Sequence, residues 1–111
     1  MRNKHTLITY AIQKVGFTKA QTCVRFIAMW AIMEASLGRP ARTFAEFEQW
    51  WEMSEAAVYR SLRQFRAVFP DYVTPSELLA IIHPAPIRAA KSQQMEVMLD
   101  LITVPMPYSF A

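Results

Sequence analysis

The chain has 111 residues, 53% of them hydrophobic and 19% charged. That is enough apolar material for one domain with a real core, and too much for a chain that is disordered as its main state. Twelve Lys and Arg against nine Asp and Glu leave a formal charge of +3, which permits a polyanionic partner without requiring one. A single cysteine, Cys23, excludes an intrachain disulfide framework and suits a reducing cytosol, so a cytoplasmic location is expected. His5 and His83 lie far apart and offer no zinc-ligand spacing.

The N-terminal apolar run, Leu7 to Ile12, is too short and too interrupted for a secretory signal. The longest apolar run, Phe26 to Met33, is less than half of the roughly 20 residues that a bilayer span needs. No membrane partner is expected.

The first predicted helix covers about residues 4–15, with Leu7, Tyr10, Ala11 and Val15 on one face. Gly16 and Gly38, the two glycines of the chain, each follow a helical pattern where a left-handed cap belongs. Thr18 with Gln21 reads as a capping box opening a second helix that reaches Leu37. Cys23, Val24, Phe26, Ile27, Trp30, Ala31, Met33 and Leu37 cover most of its circumference, which marks it as a central pillar.

Thr43 and Glu46 form a second box, opening a short helix with Phe44, Phe47 and Trp51 on one side that ends near Glu52. Ser54 is an N-cap candidate for a further helix, with Glu55 beside the positive end of its dipole. Thr74-Pro75-Ser76-Glu77 is a third box, with Pro at the first helical position, and its helix should run to about Ile82. His83-Pro84-Ala85-Pro86 breaks it, and His83 suits a helix end as a capping cation. A last amphipathic helix is expected over residues 87–102, ended by Val104-Pro105-Met106-Pro107. The whole reads as an all-α, single-domain bundle of five or six helices over residues 1–111. Residues 71–75 read as a loop into a capped helix, so the chain would carry at most a rudimentary wing.

One segment carries a functional signal. A short helix, a turn at Glu52-Met53-Ser54 and a second helix of about four turns form the layout of a helix-turn-helix at about residues 43–69. At 100° per residue, Val58, Leu62, Phe65 and Phe69 fall within an arc of about 60° and form a buried stripe. Ala56, Arg60, Arg63 and Ala67 lie roughly opposite, with Tyr59 on the flank. In Met53-Ser54-x-x-x-Val58-Tyr59-Arg60-x-Leu62-Arg63 the sequence resembles bacterial and phage helix-turn-helix transcriptional regulators. The resemblance implies that Val58 and Leu62 are inward anchors, that Ser54 caps the second helix, and that the residues between the anchors face the major groove. Glu48 and Glu52 stand where such regulators often have Ala and Gly, and a non-Gly residue adopts positive φ only at a cost.

The expected function is therefore sequence-specific binding of double-stranded DNA in a small transcriptional regulator. Arg60 and Arg63 would contact bases, since Arg donates bidentately to guanine O6 and N7. Tyr59 would reach a thymine methyl group or a phosphate, and the small Ala56 lets the backbone approach the groove. Arg39, Arg42, Ser54 and Arg66 would hold phosphates, and the capped start of the short helix at Phe44 would offer a backbone N–H. Against this, residues 39–66 carry five Arg and four Glu, a net of only +1.

Other features read as structural. Trp50-Trp51 offers a stacking surface, but Trp51 falls on the Phe47 face and Trp50 is placed under a neighbouring helix. Cys23 reads as a small core hydrophobe. No phosphate loop, catalytic triad or acid/base pair is legible, so the chain reads as a non-enzyme without cofactor or metal. The last helix presents Ile87, Met95, Met98, Leu101 and Ile102, broadened by Val97, either to its own pillar or to a homodimer partner. The rival reading is a small helical protein-interaction module, an inhibitor or adaptor, using that helix or the Glu-rich segment.

Overall fold

Thr6 opens the first helix, α1 (Leu7–Val15), in a computed structural model that describes residues 6–82, 87 and 91–106. The Thr6 hydroxyl accepts from the Thr9 amide at 3.3 Å, and the Thr9 hydroxyl accepts from the Thr6 amide at 2.9 Å. This reciprocal cap sets the start; residues 4 and 5 of the expected helix lie outside the described residues. Leu7 and Ala11 face the core.

Gly16 makes the corner into α2 (Phe17–Leu37) alone, at φ 87° and ψ 169°. Its amide donates to the Ile12 carbonyl at 2.8 Å, and its own carbonyl accepts from Ala20 at 2.9 Å. The expected Thr18–Gln21 capping box is therefore not formed. Because the glycine passes directly from one helix to the next, Thr18 is already inside α2, and its carbonyl accepts from the Thr22 hydroxyl at 3.4 Å. At the other end Gly38 takes the left-handed cap at φ 72°, as the sequence indicates.

Every residue from Phe26 to Met33 is buried, so α2 is the pillar around which the other helices are arranged. A helix enclosed on all sides has no polar face to offer solvent, which is why this stretch is uncharged. Trp30 stacks on Phe47 at 5.2 Å and meets Phe26 and Phe44 edge-on, while Phe26 meets Phe47 and Phe65 edge-on. The cluster fixes α3 (Phe44–Trp51) and α4 (Glu55–Val68) on the pillar. One Glu34 carboxylate oxygen accepts from the Trp30 indole at 2.9 Å, from the Ala41 amide at 2.9 Å and from the Ser76 hydroxyl. It thereby ties the loop before α3, and α5 (Pro75–Leu79), to the same pillar.

Half of the Thr43–Glu46 box forms: the Thr43 hydroxyl accepts from the Glu46 amide at 3.1 Å, but the Glu46 carboxylate reaches the Arg42 amide at 2.8 Å instead. The turn that follows is a Schellman closure. Met53 N–H donates to the Glu48 carbonyl at 3.0 Å and Glu52 N–H to the Gln49 carbonyl at 3.3 Å, with Glu52 left-handed at φ 55°. Glu52 takes a left-handed geometry that glycine adopts freely while bearing a side chain, at a cost of about 1–2 kcal/mol. It is the one non-Gly residue with positive φ among those described. Ser54 then caps α4, accepting from Ala57 at 3.1 Å, and Val58, Leu62, Phe65 and Phe69 are buried as the arc predicts. Tyr10 stacks on Phe69 at 5.6 Å and holds the far end of α4 against α1.

Three expectations in the C-terminal third are corrected. Helix α5 stops at Leu79 rather than near Ile82, because Ile81 bonds back three residues to Leu78, tightening the chain into a turn that buries Ile82. Its Pro75 stands at the first position, but Thr74 makes no cap; Glu77 accepts from Val73 instead, at 2.7 Å. The last helix is shorter than residues 87–102: Ile87 is not helical, Lys91–Gln93 form one 3-10 turn, and α6 is Gln94–Ile102.

The buried stripe of α6 is Val97 and Leu101, continued by Val104, while Met95 is 61% exposed. The i, i+4, i+7 register of Val97, Leu101 and Val104 points at the pillar, and Met98 and Ile102 pack beside it at the margin. The segment after α6 returns to α1, where the Leu7 amide donates to the Val104 carbonyl at 2.9 Å. The break at His83-Pro84-Ala85-Pro86, the capping role of His83, and Pro107 lie outside the described residues.

The fold is all-α. Among the described residues the one pairing of strand type is an isolated bridge between Thr6 and Pro105, and no strands follow α4 where a wing would stand. No helix of the described residues is long and apolar enough to cross a membrane.

Candidate nucleic-acid interface

Helix α4 lies across the pillar with one side anchored and the other open. Ala56, Tyr59, Arg60, Arg63 and Ala67 are all exposed, Tyr59 by 58%. The four residues expected to contact bases therefore form one continuous stripe, held from beneath by Val58, Leu62 and Phe65. Turn, cap and anchors together leave two guanidinium groups on a rigid support rather than on a loop.

The residues expected to hold phosphates are divided. Arg39 donates to both Glu46 carboxylate oxygens, forming an ion pair at the start of α3. Hydrogen bonds from Arg39 first, and then from the Arg42 amide, lower the Glu46 carboxyl to about 2, so it is ionised throughout the physiological range. The positive end of the α3 dipole thus already carries a carboxylate, which weakens the case for a phosphate at Phe44. Arg42 itself is exposed.

Arg66 lies over the Phe44 ring, 5.9 Å from its centroid, and donates to the Val73 carbonyl at 3.4 Å. Its position at the C-terminal edge of the α4 face is the one the sequence implies. The Ser54 oxygen is engaged as the cap and sits exposed at the turn, with its hydroxyl proton available to an acceptor.

Two depressions flank the open face of α4. On the α3 side a cleft of about 290 Å³ is lined by Glu48, Glu55, Tyr59 and Arg66, over Phe44 and Leu62. On the α2 side a groove of about 340 Å³ brings Lys19 and Arg25 to Arg60 and Arg63, with Thr22 and Gln64 between them. Lys19 and Arg25 are absent from the motif-based reading. A signal for them exists in the sequence: residues 1–33 hold five Lys and Arg and no Asp or Glu. They escape a motif search because they come from α2, outside the helix-turn-helix segment.

The remaining candidates are structural. Cys23 is fully buried, and burial pushes its thiol up to about 12, so it stays protonated and unreactive. The Trp50 ring carries the Lys91 ammonium 4.6 Å from its centroid, and Trp51 donates its indole N–H to the Met29 carbonyl at 3.1 Å. Neither ring is an open stacking platform. Among the described residues no three His, Cys, Asp or Glu side chains are placed to hold a metal. Compared with known protein families, characterised proteins and solved structures, the chain matches none.

Proposed function

We propose that the chain binds double-stranded DNA with the open face of α4 in the major groove, as a small regulator acting in the cytoplasm. The observation that carries this reading is the exposure of Arg60 and Arg63 on a helix whose opposite side is fully anchored. Arg60 and Arg63 read base edges, Tyr59 lies alongside them, and Ala56 keeps the helix close to the groove floor. Of the phosphate set, Arg42 and Ser54 act as they stand, while Arg66 releases the Val73 carbonyl and Arg39 leaves Glu46.

Selection of bound duplexes from a random library tests the reading, followed by substitution of the arginines. Arg60→Ala or Arg63→Ala is expected to weaken the selected duplex by about 1–3 kcal/mol and to relax its base preference. Equal loss on random duplex would make them phosphate contacts, and no loss on either would remove them from the interface.

A second reading, a small protein-interaction module with no nucleic-acid binding, is supported by Met95 and Leu99, exposed by 61% and 56% on α6. Duplex binding that weakens steeply as salt rises supports the DNA reading, and its absence favours the interaction module. Sedimentation of Met95→Asp with Leu99→Asp tests the separate expectation of a homodimer through α6. A dimer lost in the variant supports self-association. A wild-type monomer at high micromolar concentration contradicts it.

A further inference from the structure

The two flanks of α4 differ in charge, and the difference orients any strand laid against the helix. On the α3 side the cleft contains the carboxylates of Glu48 and Glu55. On the α2 side the groove contains Lys19, Arg25, Arg60 and Arg63 and no carboxylate. We infer that the α2–α4 groove holds the phosphodiester backbone of one strand, with Lys19 and Arg25 as phosphate-contacting residues, while Arg42 and Arg66 are left to the other strand on the α3 side. This rests on the proposed DNA reading and adds the side from which the backbone is gripped.

The groove is built from two facing helical rows. Thr18, Thr22 and Arg25 follow i, i+4, i+7 along α2, and Ala57, Arg60 and Gln64 follow i, i+3, i+7 along α4. From Thr18 to Arg25 the wall runs about 10 Å, the axial rise of about three nucleotides of one strand. Ser61, the one buried polar residue among those described, lines the same groove and gives the floor a hydroxyl. Arg60 and Arg63 belong both to this groove and to the open face, so a backbone lodged beside them is continuous with bases read by them. The acid-free run of residues 1–33 supplies the α2 wall with cations that have no acidic neighbour in sequence to neutralise them. A strand on the α3 side passes Glu48 and Glu55 as well as Arg66, so it is held less strongly than the strand in the carboxylate-free groove.

The test uses the full chain, a mixed-sequence 20-base-pair duplex, and anisotropy titrations across a range of salt. Lys19→Ala and Arg25→Ala are each expected to lower the slope of log K against log salt by about 0.9, equally on every sequence. Lys14→Ala, on α1 outside the groove, is expected to leave it unchanged. Both groove side chains are exposed, so circular dichroism should show intact helices.

A second arm titrates inorganic tripolyphosphate and follows the Thr22 and Ser61 amides by NMR. Duplex binding with unaltered slopes in both groove variants overturns the inference and leaves the α4 reading standing. Absent duplex binding, with tripolyphosphate shifts lost in Arg25→Ala, overturns the DNA reading and assigns the groove to a free polyphosphate. Binding of neither overturns both.

Discussion

The two sides of α4 are made from the same helix yet offer opposite surfaces. Toward α2, Arg60 and Arg63 meet Lys19 and Arg25. Toward α3, Tyr59 and Arg66 meet Glu48 and Glu55. The lesson is that the charge beside a helix is not a property of that helix alone: its neighbours decide which edge is purely cationic and which carries carboxylates as well. The mechanical support differs as well. The α2 side is a direct helix-to-helix contact, whereas the α3 side depends on a turn, an aromatic cluster and the Glu34 carboxylate.

Removing the shared support should collapse both sides together. Trp30 is fully buried, stacks on Phe47 and donates to Glu34 and Ser76. Trp30→Ala is expected to cost about 3–5 kcal/mol in urea unfolding. A loss below about 1 kcal/mol would mean that the aromatic cluster does not hold the pillar to α3.

Glu34→Ala should separate the two sides. It leaves the Ala41 amide, the Trp30 indole and the Ser76 hydroxyl without their shared acceptor, at an expected cost of about 1–3 kcal/mol. Hydrogen exchange should quicken at Ala41 and in α3, while α4 amides facing α2 keep their protection. Uniform loss of protection would show that the two sides are not independent.

The smallest effect concerns the Arg39–Glu46 pair at the start of α3. Arg39 holds the Glu46 carboxyl at about 2, below its ordinary 4.5. A depressed folded value contributes stability that is present above about 4.5 and lost as pH falls toward 2. Both side chains are solvent-accessible, so the contribution is small. Glu46→Gln should flatten the fall of Tm between pH 5 and 2, and an unchanged slope would show that the pair adds nothing.

Much of this was legible in the sequence where local rules act alone. The buried arc of α4 follows from its 3.6-residue period, and the pillar from its uncharged run. The turn after α3 closes at Glu52, near where the sequence ends that helix, although the residue is not glycine; the Schellman bonds of Met53 and Glu52 hold it there. Misreadings arose where tertiary partners compete with local ones. Glu77 accepts from Val73 rather than from Thr74, and Ser76 turns to Glu34. Gly16 closes one helix and opens the next, which left Thr18 no end to cap. On α6 the periodicity leaves open whether the stripe of Met95, Met98, Leu101 and Ile102 faces the pillar or a partner; the structure puts Val97 and Leu101 against the pillar and leaves Met95 outside. The α2 contribution to the groove shows in the sequence only as the acid-free run of residues 1–33, because Lys19 and Arg60 come together only once α2 and α4 pack.

Amide and side-chain NMR mapping of the full chain on its selected duplex tests the central claim most directly. The largest shifts should fall on Ala56, Tyr59, Arg60 and Arg63, with the buried Val58 and Leu62 moving little. Shifts confined to α6 around Met95 and Leu99, or none at all, would contradict it.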